Sequence, residues 1–290
     1  MPELPEVETV KNGLNKLLKN KLVTDVTFDW PKGFPNSQGD INNFLKKSKI
    51  IKTERRGKAL IIYLSSDYCL VIHLKMTGQL VYRGKTQFGA GHPSDSLIGP
   101  LPDRSTRVIF TFDDDSKLYF NDQRKFGWIR LMPEFEVENL DFMKKLGPDP
   151  LNDSFGASEF RTRIRRRKNS RIKSTILDQT VIAGVGNIYA DESLWMSRIN
   201  PNSLSGSLSD SKLNLLLESI REVFKKSIAL GGSTARNYVD AEGNRGSYLK
   251  FANVYNRGGQ ACPRCGNEIV KIKVTGRGTH ICTKCQRKTS

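Results

Sequence analysis

Four of the five cysteines fall within the last 29 residues, as Cys262, Cys265, Cys282 and Cys285 in the stretch CPRCGNEIVKIKVTGRGTHICTKC. Each C-x2-C turn presents two thiolates to one point. Two such turns, sixteen residues apart, close a tetrahedral site for one soft divalent ion, and zinc is the expected occupant. The residues between the pairs must then form a hairpin. Two disulfides would satisfy the same spacing, but they are disfavoured in an intracellular chain. Four thiolates saturate the ion, so the site is structural and His280 is not counted as a ligand. Lys271, Lys273 and Arg277 lie between the pairs, where a hairpin could carry positive charge to a phosphate. Cys69 stands apart in the apolar stretch YCLVIHL and reads as a buried strand residue.

Charge points the same way. Lys and Arg number 47 against 30 Asp and Glu, a formal net charge of +17. That surplus favours a polyanion, with nucleic acid the leading partner. No apolar run has transmembrane length, and the acidic start lacks the basic and apolar regions of a signal peptide. A cytoplasmic, nucleoid-associated protein is therefore expected.

The organisation ahead of the cysteines is α+β and multidomain. Val7, Val10, Leu14, Leu17 and Leu18 have helical spacing. Short β-rich runs follow (LVTDVTF, ALIIYL, YCLVIHL, QLVYR, RVIFTF, KLYF, WIRLM), divided by turns such as SSD and DDDS, and read as an antiparallel β-sandwich. The Gly/Pro-rich stretch 84–103 reads as a surface loop or insertion. From about 155 to 230 the pattern is helical, with Ser209 or Asp210 as the last N-cap and Gly231-Gly232 as the stop. The expected divisions are 1–135, 136–250 and 251–290.

Several short motifs are candidates for chemistry. AGVGNIYADE sets glycines before a helix, where free N–H groups beside Asn187 make a phosphate site or an ordinary turn. RIRRRKNSRIK is equally a solvated face or a phosphate-contacting edge. RRGKAL places Lys58 after a glycine, and HLKMTG sets His73 and Met76 at a strand end. DQRKFG puts Arg124 next to Phe126, and an Arg, an aromatic and a Met on neighbouring turns could wedge into a base stack. The chain opens MPELPEVETV, with Pro2 and Glu3 directly against the first helix.

In this order PELPEVET, RRGK, HLKMTG, DQRKFG, GPDPL, GVGNIYADE, GGST and GRGTHICTKC resemble bacterial formamidopyrimidine-DNA glycosylase, the 8-oxoguanine DNA glycosylase family, over nearly the whole chain. The resemblance implies a leading helix and β-sandwich, a helix–two-turn–helix domain and a C-terminal four-cysteine zinc finger. It implies a bifunctional glycosylase and abasic-site lyase that excises oxidised purines from double-stranded DNA and nicks the strand by β,δ-elimination; nothing in the sequence suggests more than a monomer. Pro2, freed of Met1, matches the nucleophile, Glu3 the general acid and Glu6 a supporting carboxylate. Lys58 matches the lysine of β-elimination, and Arg277 the zinc-finger arginine of δ-elimination. Asn187, His73 and, less closely, Lys168 match DNA contacts. Met76, Arg124 and Phe126 match the residues that fill the gap left by the flipped base. GGSTARNYVDAEGNRGSY matches the loop covering that base. Ser105, in STRV, stands where many members have a DNA-contacting histidine. The sister family endonuclease VIII prefers oxidised pyrimidines and usually has Gly in place of Leu4, so PELPE favours the purine enzyme.

Overall fold

The computed structural model describes residues 2–92, 94–232 and 248–288, which divide into two compact units: described residues within 1–144 and 228–248, and described residues within 145–227 and 249–290. The expected lesion-covering loop lies, at 233–247, outside the described residues.

The first unit opens with helix α1 (Leu4–Leu18), three residues before the apolar spacing predicts. The early start is set by capping. Glu3 is the extended N-cap, Pro5 occupies the first turn where a missing N–H costs nothing, and Glu6 closes a capping box. Leu4, Val7, Val10, Leu14 and Leu18 are wholly buried along one face.

Two antiparallel sheets form the expected sandwich. One has five strands in the order β1 (Val23–Phe28), β7 (Thr106–Phe112), β8 (Lys117–Asp122), β5 (Gly78–Arg83), β6 (Gln87–Gly91). The other runs β2 (Ile50–Arg56), β3 (Ala59–Leu64), β4 (Tyr68–His73), β9 (Trp128–Pro133). Short helical turns α2 (Gln38–Asp40) and α3 (Asp141–Lys144) complete the unit. Leu60, Ile62, Leu70 and Ile72 from one sheet and Leu80, Phe110 and Phe120 from the other share one core with α1, which is how a two-layer β structure hides its apolar faces.

The 84–103 stretch departs from the expected loop. Residues 87–91 form β6 and pair with β5 from Gln79↔Gly91 to Arg83↔Gln87. The glycines of QFGAG conceal the strand pattern, which leaves Phe88 as its one large core side chain. Phe88 lies against Gly13 of α1, where any Cβ would overlap the ring. Glycine inside a helix costs about 1 kcal/mol relative to alanine, and here it admits a buried aromatic. Arg83 secures the following segment by donating to the Leu97 and Gly99 carbonyls at 3.0 and 3.3 Å.

The second unit contains α4 (Ala157–Arg165), α5 (Ile172–Leu177), α6 (Asn187–Met196), most of α7 (Asp210–Ala229) and the hairpin β10 (Ile269–Val274)–β11 (Arg277–Cys282). α6 is buried nearly all round, and its Glu192 carboxylate accepts from the N–H groups of Asn253, Val254 and Tyr255, each at 2.8 Å. That contact ties the chain entering the cysteine segment to the helices.

Candidate active site and DNA-contact residues

The first unit brings four expected residues to the start of α1 and to the edge of the four-stranded sheet. Pro2, Glu3 and Glu6 are buried. The Glu3 N–H donates to Glu6 Oε2 at 2.8 Å, and the Val7 N–H to the Glu3 carbonyl at 3.1 Å. Glu3 is thereby fixed at the start of the helix, with the buried Pro2 directly before it. Gly232 packs beside Glu6 in a left-handed conformation (φ +91), with a Cβ there reaching 3.3 Å from the carboxylate, so GGST matters at its second glycine. Lys58, half-buried, follows Gly57 (φ +56) in the two-residue turn between β2 and β3. Glycine suits that left-handed position.

Ala59 pairs with His73, which sets Lys58 near the imidazole. Burial first, then the charges of Lys75 and Lys58, push the His73 pKa down to about 3, so the ring is neutral. Its Nδ1 accepts the Lys75 N–H at 3.0 Å. The proton therefore sits on Nε2, which remains a donor suited to a phosphate oxygen.

Met76, Arg124 and Phe126 meet across two turns. Arg124 donates to Met76 Sδ at 3.1 Å and stacks 4.8 Å from the Phe126 centroid. Met76 and Phe126 are 40% and 52% exposed, unusual for a Met and a Phe next to a packed core. Asp122, buried beneath, accepts from the Thr77 hydroxyl, from the Gly127 N–H at 2.6 Å and from the Arg124 N–H at 3.3 Å. One carboxylate thus ties both turns.

Ser105 is placed differently from its expected role. It is 2% exposed, and its hydroxyl donates to Asp103 Oδ1 at 2.6 Å beside Ser96. The short side chain is used inside the fold, and its hydroxyl does not face solvent where DNA would lie.

In the second unit, Asn187 is the first residue of α6, after Gly184 (φ +87) and the extended N-cap Gly186. Its Nδ2 donates to the Gly278 carbonyl at 3.1 Å, next to Arg277. Its Oδ1 is buried and accepts no hydrogen bond among the described residues. Arg277, exposed, follows the tight turn Thr275 (φ +45)–Gly276 (φ +82) of the hairpin. Lys168, exposed in the turn after α4, has its carbonyl engaged by the Gly206 N–H at 2.9 Å.

Beneath the hairpin is an ion pair that sequence reasoning missed. Lys173 and Asp191, both wholly buried, pair at 2.6 Å. Lys173 also donates to Thr279 Oγ1 at 2.7 Å and the Gly278 carbonyl at 3.3 Å, while Asp191 Oδ2 accepts the His280 N–H at 2.8 Å. The available signal was an acid inside the largely apolar helix NIYADESLWM, where burial demands a partner.

The sulfurs of Cys262, Cys265, Cys282 and Cys285 lie within 4.8 Å of one another. A tetrahedral ion with bonds of about 2.3 Å separates its sulfurs by about 3.8 Å, so the cluster fits zinc. Four thiolates leave no open ligand position. The Trp195 indole N–H points at Cys262 Sγ at 3.4 Å.

Family models for the formamidopyrimidine-DNA glycosylase N-terminal domain, its H2TH domain and the zinc finger found in FPG and IleRS match residues 1–129, 146–239 and 259–287. Formamidopyrimidine-DNA glycosylase of Pelotomaculum thermopropionicum is 42% identical, covering 99% of each chain. A point mutant of Lactococcus lactis FPG, solved in complex with a Fapy-dG containing DNA, has a TM-score of 0.87 and 36% identity, covering 99% of this chain and 100% of that one. A MutM structure with carbocyclic 8-oxo-G containing DNA has a TM-score of 0.85 and 35% identity, with the same coverage. Fold and comparisons together define a zinc-finger DNA glycosylase, an enzyme of DNA repair. Within that class, the chain belongs to the formamidopyrimidine-DNA glycosylase family. No described helix is long and apolar enough to cross a membrane.

Proposed function

We propose that this chain removes oxidised purines, 8-oxoguanine and formamidopyrimidines, from duplex DNA through a Schiff base at Pro2, and then nicks the strand by β,δ-elimination. The observation that carries this is the buried, capped corner at Pro2–Glu3–Glu6, which holds an N-terminal amine still against a helix and sets carboxyls beside it. The proposal requires removal of Met1, because an acylated Pro2 nitrogen is an amide without nucleophilicity.

The freed secondary amine is expected near the α-amino range of roughly 7.7–8.0, so a usable fraction is neutral near pH 7, unlike a lysine at about 10.4. Its lone pair attacks the sugar C1′. The glycosidic electron pair leaves with the base, which takes up a proton, and the attacking nitrogen gives up its own; the C1′–O4′ bond then breaks, opening the sugar, as the nitrogen lone pair forms the C1′=N bond, with Glu3 supplying a proton to the ring oxygen or the base. The resulting iminium acidifies the C2′ proton, whose loss expels the 3′ phosphate; a second elimination expels the 5′ phosphate. Lys58 serves the first elimination and holds phosphate, and Arg277 serves the second. Glu6 fixes Glu3 through its N–H. His73, Asn187 and Lys168 hold phosphates, and Met76, Arg124 and Phe126 fill the gap left by the flipped nucleotide. Zinc holds the hairpin together and takes no part in these steps.

In functional terms we divide the chain into a catalytic segment 1–135, a DNA-binding helical segment 136–250 and a zinc finger 251–290. We further propose a monomer working in the cytoplasm at the nucleoid, which size-exclusion chromatography with light scattering and cell imaging would check.

Borohydride trapping on an 8-oxoguanine duplex tests the chemistry. Wild type is expected to form the covalent adduct, and Pro2→Gly to lose it together with strand cleavage. A Pro2→Gly protein that traps and cuts normally removes the nucleophile assignment. Binding without any trapping by wild type would leave a non-catalytic damage-recognition protein. Side-by-side excision of 8-oxoguanine and thymine glycol separates a purine from a pyrimidine preference.

A further inference from the structure

The end of the second unit that carries the cysteines contains a cavity that the proposed reaction does not use. It is an open cleft of about 530 Å³ lined by Arg198, Lys212, Arg264, Lys284, Arg287 and Lys288, with Cys265 and Cys285 in its wall. No Asp or Glu lines it among the described residues. Arg264 is partly spent on structure: its guanidinium stacks 3.9 Å from the Trp195 ring and donates to the Trp195 carbonyl at 3.0 Å. The other five cations form no ion pair among the described residues.

A tetrathiolate zinc site could account for some of this charge. Two positive charges on the ion against four thiolates leave a net −2, which two of the six cations offset. Four remain in excess, gathered from the end of α6, from α7, from the second cysteine turn and from the segment after Cys285. Like charges that converge without a counter-charge repel, and such a cleft concentrates an anion. No aromatic ring and no Leu, Ile, Val or Met lines the cavity, so its wall suits phosphate oxygens better than an apolar peptide anchor. Arginine forks and lysine ammoniums match phosphate oxygens.

The cavity is also separate from Arg277. Arg277 does not line it; that residue begins β11, and about 17 Å of strand, the length of roughly five nucleotide steps, separates it from Cys282, whose sulfur lies within 4.8 Å of those of Cys265 and Cys285 in the wall. We propose that the cavity takes phosphate groups of duplex DNA outside the stretch that carries the lesion, as a second contact during search along undamaged DNA. This goes beyond the reaction above and does not depend on Pro2.

The test is a triple variant, Arg198→Gln, Lys284→Gln and Arg287→Gln, in the zinc-loaded full chain. Binding to an undamaged duplex of about 40 base pairs is followed by fluorescence anisotropy over a range of salt. Each lost phosphate contact removes about 0.9 from the slope of log K against log salt, so the slope is expected to become shallower by about two to three. Single-turnover excision from an 8-oxoguanine duplex of about 12 base pairs is expected to stay unchanged, which keeps a failure here distinct from a failure of the Schiff-base chemistry. If the triple variant does not retain one zinc per chain, Lys212→Gln with Lys288→Gln decides, with an expected slope change of about two. An unchanged slope overturns the proposal. So does equal weakening on both duplexes, which would merge the cavity with the lesion site. Loss of binding to a poly-Glu peptide with an unchanged DNA slope overturns it in favour of an acidic protein partner.

Discussion

Met76, Arg124 and Phe126 in the sandwich unit stand on two turns tied by Asp122, and Arg277 in the helical unit stands on a turn tied through Asp191. Both arrangements aim exposed side chains by burying one carboxylate behind them. They differ in what the carboxylate meets. Asp122 accepts from N–H groups and a hydroxyl, all neutral donors. Asp191 meets the ammonium of Lys173, and neither side chain has any exposure. A neutral network can lose its acceptor and leave dipoles. An ion pair that loses one partner leaves a buried charge, and that costs far more.

The comparison breaks most sharply at Asp191. Asp191→Leu is expected to destabilise the second unit by about 3–5 kcal/mol, read as a lower urea midpoint of the zinc-loaded protein. Replacing both partners, Lys173→Met with Asp191→Leu, is expected to recover most of that loss, because no uncompensated charge remains. If the double variant is as unstable as the single one, the pair is not what the hairpin rests on. In the recovered double variant, the hairpin loses the Lys173 contacts to Gly278 and Thr279. Product that stops after the first elimination is then expected to accumulate on an abasic duplex.

Asp122→Ala should cost less, about 1–3 kcal/mol, since it strands the Gly127 N–H and the Thr77 hydroxyl without an ion. Its larger effect is expected on function. With both turns loosened, excision of 8-oxoguanine from duplex DNA should fall while trapping on a preformed abasic site is retained. A stability loss equal to that of Asp191→Leu would erase the distinction between the two supports.

How much of this was legible beforehand follows from what pattern can carry. The helix at Val7–Leu18, the alternating strands and the cysteine spacing each repeat over several residues, so the α+β layout and the zinc site could be read without coordinates. The apolar spacing alone places the start of α1 at Val7, and it is PELPEV ahead of it that brings the start back to Glu3. The strand at Gln87–Gly91 could not be read, because it depends on Phe88 meeting Gly13 from far along the chain. The site shows the same division. Pro2, Glu3, Lys58, Arg277 and the gap-filling residues were named through motifs that resemble the family, none of which carries a role by itself, whereas Asp122, Lys173 and Asp191 gain meaning only from partners remote in sequence. Ser105 was named for the histidine it replaces, and the fold gives it an interior role.

His73 extends the comparison to pH, because it is a half-buried base kept neutral rather than a buried acid kept charged. Its folded pKa of about 3 lies below the unfolded value of about 6.5. Between those values the unfolded chain binds a proton that the folded chain does not, so stability rises with pH across that window and is flat above it. His73→Gln removes this contribution. From pH 7.5 to pH 4.5 the wild-type urea midpoint is expected to drop further than that of the variant. Parallel curves would mean that the imidazole is protonated in the folded state.

The smallest stability effect is expected at Phe126, where the ring is half exposed and its main partner is the Arg124 guanidinium. Surface changes of this kind stay within about 0.5 kcal/mol, so Phe126→Ala should melt with wild type. A residue with little to hold inside the fold is free to serve outside it. If the ring wedges into a base stack, the variant should lose excision on duplex DNA, where a gap must be filled. It should cleave an abasic site in single-stranded DNA at the wild-type rate, because no stack is present there. Equal losses on both substrates would assign Phe126 to general DNA affinity, and the Asp122-tied turns would then be a binding surface rather than a wedge.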